Sequence, residues 1–155
     1  MLRLKSIAGS LLLIGMTVAG FTVAQAQTGA ADVIAARQAG YKATLANVGA
    51  VKKALDAGAD LTTVASNAQG VADWGHKIPT MFPVGSGPEA GVKTAALPEI
   101  WANKADFDKL AGNLATEATK LTAALKANDK SAATTAFAAT GAACGACHKT
   151  YRAKP

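Results

Sequence analysis

The chain has 155 residues, 50% of them hydrophobic, with 16 lysines and arginines against 10 acidic residues and a formal net charge of +6. A chain of that size makes one compact domain. No nucleic-acid motif and no interleaving of aromatic with basic residues is present, so the excess charge reads as ordinary solvated surface that biases encounters toward acidic partners.

The first residues carry Arg3 and Lys5, followed by an apolar run from Ile7 through Val23. Ala24-Gln25-Ala26 has the small-x-small form of a cleavage site, so residues 1–26 read as a secretory signal peptide, with residues 27–155 as the mature domain. Its removal lowers the net charge from +6 to +4. No second apolar run is long enough to span a bilayer.

Beyond the leader the chain is alanine-rich and helical in pattern. Ile34, Tyr41, Leu45, Val48 and Leu55 fall at steps of three, four or seven, the apolar stripe of a first helix, with Asp32 as its expected N-terminal cap. Asp60 caps a second helix bearing Leu61, Val64, Ala68, Val71 and Trp74. Residues 78–98 hold Pro79, Pro83, Pro88 and Pro98 with Gly85, Gly87 and Gly91, and so form a long connection. A third helix carries Phe107, Leu110, Leu114, Leu121 and Leu125. A fourth starts at Asp129 or Ser131 and lines up Phe137, Cys144, Cys147 and Tyr151. The expected fold is all-α: four antiparallel helices with short links, except for the middle crossing.

Near the C-terminus stands Cys144-Gly145-Ala146-Cys147-His148. A C-x-x-C-H run reads as a covalent c-type haem attachment site. Its two thiols add across the haem vinyl groups, and the neighbouring imidazole serves as an iron ligand. On a helix, Cys144 and Cys147 share a face, and His148 projects from much the same stripe. A thioredoxin-like pair needs a strand-helix-strand context, which the chain lacks. A structural zinc site wants four ligands, and the motif offers three, with His76 as the only other histidine. A plain disulfide leaves His148 without a role. Haem attachment to such motifs takes place outside the cytoplasm, in a bacterium the periplasm, which agrees with the leader.

A haem motif on the last of four helices resembles the cytochrome c′ family, the class II c-type cytochromes. Arg37-Gln38 is similar to the family's Arg-Gln pair, and Pro98-Glu99-Ile100-Trp101 with Phe107 to its lead-in to the third helix. Cys144-x-x-Cys147-His148-x-x-Tyr151-Arg152 matches the family pattern residue for residue. The resemblance covers essentially the whole mature chain. It implies an up-down-up-down bundle, cytochrome c′ being a standing example of that architecture. It also implies a single haem c, and a homodimer packed through the first two helices. Only seven residues follow His148, none of them methionine, so the arrangement of small class I cytochromes is excluded.

Low-spin relatives of the c-556 type carry a methionine four residues after the arginine of the Arg-Gln pair. Here that position is Tyr41, which the resemblance places over the distal haem face. A neutral phenol with a pKa near 10 is a poor iron ligand. The expected centre is therefore five-coordinate and high-spin, with His148 as its only protein ligand, open to nitric oxide and carbon monoxide and able to exchange electrons with redox partner proteins. The alternative is a six-coordinate electron carrier ligated by His76 or Met81. By the same resemblance Arg152, four residues after His148, stands on the proximal side, and Arg37 pairs with a haem propionate. Lys42, Lys149 and Lys154 read as solvent-exposed charges. No peroxidase-like histidine-arginine pair is recognisable, and no enzymatic activity is expected.

Overall fold

The computed structural model describes the backbone of residues 21–154 and the side chains of residues 29–154. Most of the expected leader lies outside these residues. Five helices follow in order: α1 (Phe21–Ala57), α2 (Ala65–Lys77), α3 (Glu99–Ala102), α4 (Lys104–Lys126) and α5 (Lys130–Tyr151). The long helices α1, α2, α4 and α5 form an up-down-up-down bundle, as expected, and α3 is a single turn at the end of the connection.

Local chemistry sets most of the boundaries. Asp60 accepts a hydrogen bond from the Thr62 backbone N–H at 3.0 Å and caps a 3-10 turn, Leu61–Val64, which runs directly into α2. Asp129 does the same for α5 through the Ala132 N–H at 3.0 Å. Between α4 and α5, Asn128 adopts φ 51°, a left-handed conformation that asparagine tolerates better than most residues. Its side chain accepts from the Leu61 N–H at 2.9 Å, tying this turn to the α1–α2 turn at the same end of the bundle.

One expected cap is overturned. Asp32 lies inside α1, which is already helical at Phe21, the first residue described. Residues 21–31 include good helix formers and a single glycine, Gly29, so nothing there stops the helix. The α1 stripe also departs from expectation at Leu45, which is 72% exposed while Ile34, Val51 and Leu55 are buried.

The connection is ordered by its side chains. Trp101 donates from Nε1 to the carbonyls of Phe82 and Pro83 at 3.1 and 3.0 Å. Ser86, itself buried, donates to the Pro83 carbonyl at 2.8 Å. The residues after the last turn of α5 return to this segment. Leu97 donates to the Tyr151 carbonyl at 3.1 Å and Ala153 to the Ala95 carbonyl at 2.9 Å, forming an antiparallel bridge between Ala96 and Arg152.

The core has two parts. One cluster joins Val71, Trp74, Ile78, Phe82, Ile100, Phe107 and Tyr151. The other joins Val51, Leu55, Leu61, Ala68, Leu121 and Leu125 toward the capped turns. Helix α2 packs on α1 and α4, and α4 on α5, whereas α1 and α5 scarcely meet. The α2–α4 approach depends on Gly75, where a Cβ would come within 2.8 Å of the Ala115 backbone nitrogen. Backbone cannot swing aside as a side chain does. Gly75→Ala should therefore lower stability by about 1–2 kcal/mol net, overpacking outweighing the gain in helix propensity. A urea midpoint equal to or above that of the parent would contradict so close an approach.

Candidate functional site

Cys144, Cys147, His148 and Tyr151 follow each other on one stripe of α5, and all four line a cavity of about 590 Å³. That size lies within the roughly 300–1,000 Å³ usual for cofactor and small-molecule sites. The opposite wall is α1, through Arg37, Gln38, Tyr41, Leu45 and Val48. Phe82, Ile100, Phe107, Leu110 and Leu114 supply an apolar side. The cavity thus explains why α1 and α5 hardly touch. It occupies the space where their side chains would otherwise interlock.

Cys144 and Cys147 are not bonded to each other, and both lie half-buried in the cavity wall. Burial raises the pKa of each, and that of Cys147 reaches about 11, with Cys144 and Asp106 adding to the effect. His148 is held below its ordinary pKa, first by burial and then by the charge of Arg152. Its imidazole is therefore neutral at physiological pH, the form that coordinates a metal. Tyr151 fixes the end of the stripe. It is buried, donates to Asp106 Oδ2 at 2.8 Å and packs edge-on against Phe107 at 5.3 Å between ring centroids.

On the α1 wall, Tyr41 stands edge-on to Trp74, with ring centroids 5.2 Å apart. The contact requires Gly40, because a Cβ there would collide with the Trp74 ring. Burial is the main cause that drives the Tyr41 phenol pKa well above its ordinary value, so the hydroxyl keeps its proton. Arg37 is only 2% exposed. It donates to Ser86 Oγ at 3.0 Å and Thr94 Oγ1 at 2.7 Å, and its guanidinium stacks over Phe82 at 4.5 Å from the ring centroid. Burial pulls its pKa down while Tyr41 and Glu89 oppose the shift. Gln38 donates to the Lys93 carbonyl at 2.9 Å. The Arg-Gln pair therefore bolts α1 to the connection as well as lining the cavity.

Arg152 reaches the cavity by a different route from the one its spacing implied. Helix α5 ends at Tyr151, and Arg152 is extended, with φ −120° and ψ 130°. Its bridge to Ala96 holds it at the cavity wall, with its charge felt by His148. Lys42 is exposed, as expected, and also borders the cavity. His76 is exposed and Met81 packs against the core cluster; neither belongs to the cavity wall, whose lining includes His148 and no methionine.

Two thiols three residues apart, an adjacent neutral imidazole, an apolar side and basic groups at Arg37, Lys42 and Arg152 fit a flat, doubly tethered, anionic macrocycle. A family profile described as Cytochrome C′ matches residues 32–152. The chain belongs to the cytochrome c′ family.

A cytochrome c′ from Rhodopseudomonas palustris is 36% identical over 99% of this chain and 97% of its own length. A cytochrome c-556 from Agrobacterium fabrum is 35% identical, over 99% and 98% respectively. Among solved structures, a cytochrome c′ described as having an unusual ligand-controlled dimer dissociation superposes with a TM-score of 0.74. It shares 30% identity and covers 81% of this chain and 97% of its own. Members of the cytochrome c′ family carry covalent haem c, and the cofactor of this chain is haem c.

Some contributors to the site left little trace in the sequence. Phe82 and Thr94 lie in the connection, where no periodicity marks them, and Asp106 precedes the buried Phe107 as an ordinary helix charge. Trp74 was legible as a core residue but not as the support of Tyr41. Replacing Arg37 with alanine should cost about 2 kcal/mol or more, since two hydrogen bonds to a charged group and the stack on Phe82 go together. Arg37→Lys should recover less than half, because one ammonium cannot make both bonds and the stack. Denaturation of the holoprotein measures both, and full recovery by lysine would contradict the bidentate role.

Proposed function

We propose that this chain is a periplasmic, gas-binding cytochrome c′ whose haem iron has one protein ligand, His148. In this reading Cys144 and Cys147 form the two thioether links, and residues 1–26 are the export signal. Haem c supplies the iron at which a diatomic ligand binds and electrons are exchanged. The observation that carries the reading is the make-up of the α1 wall. The side chain facing α5 at the position where c-556-type relatives hold methionine is Tyr41, and burial keeps its phenol neutral. A protonated phenol neither ligates iron as phenolate nor supplies the sulfur of a low-spin centre.

The relationship to a cytochrome c-556 keeps electron transfer through a six-coordinate haem as the second reading. Against it stands the cavity lining, where His148 has no second histidine and no methionine beside it. Arg37, Gln38 and Arg152 contribute charge and hydrogen-bond donors. The first two, already bonded to Ser86, Thr94 and the Lys93 carbonyl, would meet haem propionates from the α1 side, and Arg152 would stand near His148. No peroxidase-like pair accompanies them, so binding and electron exchange, not turnover, define the function. Nitric oxide and carbon monoxide are the ligands that need least help from a distal hydrogen bond, and Tyr41 acts on them as a lid.

Tyr41→Ala should therefore speed carbon monoxide association with the ferrous protein, roughly tenfold if the lid contributes ~1.4 kcal/mol to the barrier. Stopped-flow mixing reads the rate, and unchanged or slower association would reject the lid.

The exposed Leu45 lies one turn beyond Tyr41 on α1, beside a cavity mouth where a partner subunit would shield it. A homodimer built on α1 would couple ligand binding at Tyr41 to subunit affinity, and the coupling must be reciprocal. Sedimentation of the ferrous protein should show a lower dimer fraction under carbon monoxide, and equal masses across a dilution series would exclude the coupling.

A further inference from the structure

A second, much smaller cavity of about 30 Å³ adjoins the haem cavity and shares Val48, Gly141 and Cys144 with it. It lies at the seam of the core. Val71 belongs to the cluster around the haem cavity, whereas Val51, Ala68 and Leu121 belong to the other. Leu121 and Phe137 form part of the wall, but the valines, Ala68 and Gly141 that complete it are too short to fill the seam. Such a void costs stability, because its lining loses contact partners.

Water is a poor tenant. A cavity needs about 10–15 Å³ of room to take one water molecule, so size is no obstacle, but a water also needs two to four polar partners. The wall offers almost none. Thr140 is buried, and its hydroxyl is already committed to the Ala136 carbonyl at 2.8 Å, which leaves its methyl as the wall's free surface. Cys144 contributes a sulfur, a weak acceptor at best. Apolar cavities of this kind stay dry and take up uncharged, apolar molecules.

We infer that this seam pocket is a second gas site, a holding place for one uncharged diatomic molecule beside the haem cavity. The inference rests on the gas-binding reading above and extends it. A ligand released from the iron is retained in the pocket at Val48 and Cys144 and rebinds from within the protein. Retention raises the effective concentration of ligand near the iron without any new polar contact. The pocket thereby lengthens the time a bound gas stays with the molecule, whereas Tyr41 sets how fast a gas first enters.

Xenon is the direct probe, being apolar, of suitable size and heavy enough to locate. In crystals of the holoprotein under xenon pressure, one xenon atom should appear against Val51, Val71 and Leu121. Val51→Ile adds a single methylene into the void from a residue that does not line the haem cavity, and should abolish the xenon site. Ala68→Val makes the same plug from α2, should the core refuse the isoleucine. Nanosecond photolysis of the ferrous carbon monoxide complex should show a phase of rebinding from inside the protein. Its fraction should fall at least twofold in V51I, and xenon pressure should reduce it in the parent but not in V51I. No xenon in the parent pocket, or a rebinding fraction that both plugs leave unchanged, would overturn the inference. Failure of the reduced protein to form a carbon monoxide complex would instead defeat the gas-binding reading, and the xenon site would still decide the pocket.

Discussion

The structure turns on a separation: helices α1 and α5, neighbours in the bundle, are held apart by a cavity instead of packed together. Helix bundles are stabilised mainly by apolar faces buried against each other. Here α2 packs on α1 and α4, α4 packs on α5, and the remaining face is left for a cofactor. In the proposed reading, covalent attachment to Cys144 and Cys147 would make the haem part of the core of α5. The small residues Gly141 and Ala143 keep that helix slender where it lines the cavity.

With the gap fixed, what faces it from α1 decides the chemistry. Arg37 and Gln38 anchor α1 to the connection, at Ser86, Thr94 and Lys93, and so set the distance of the α1 wall. One turn on, Tyr41 is pressed against Trp74 through the bare backbone at Gly40. On the α5 side, the Ala96–Arg152 bridge and the Tyr151–Asp106 hydrogen bond hold the helix end that carries His148. Each wall is thus braced by the same connection, residues 78–98, which in sequence looked like filler between two helices.

Much of this could be read in the sequence, and the exceptions have causes. The apolar stripes of α2, α4 and α5 appear as periodicity because each helix buries one face, whether in the core clusters or along the cavity wall. The α1 stripe fails at Leu45 because it borders the cavity mouth, and periodicity cannot distinguish a core from a site. Asp32 carried the chemistry of a cap, but capping is decided by where the preceding residues stop being helical, and here they do not stop. Arg152 was expected one helical turn beyond His148, but it lies past the end of α5 in an extended conformation. Its position comes from a backbone bridge between residues far apart in sequence, which local spacing does not encode. The same holds for Phe82, Ser86 and Thr94, whose common partner Arg37 lies 45 or more residues away. The haem motif was legible because covalent attachment imposes a fixed local spacing.

The central claim is that His148 is the sole protein ligand of the iron, facing a neutral Tyr41. Optical and electron paramagnetic resonance spectra of the purified holoprotein, oxidised and then reduced under carbon monoxide, test it most directly. A high-spin or mixed-spin ferric centre that binds carbon monoxide on reduction is the predicted result. A low-spin centre in both states, indifferent to carbon monoxide, would contradict the account and make the protein a six-coordinate electron carrier.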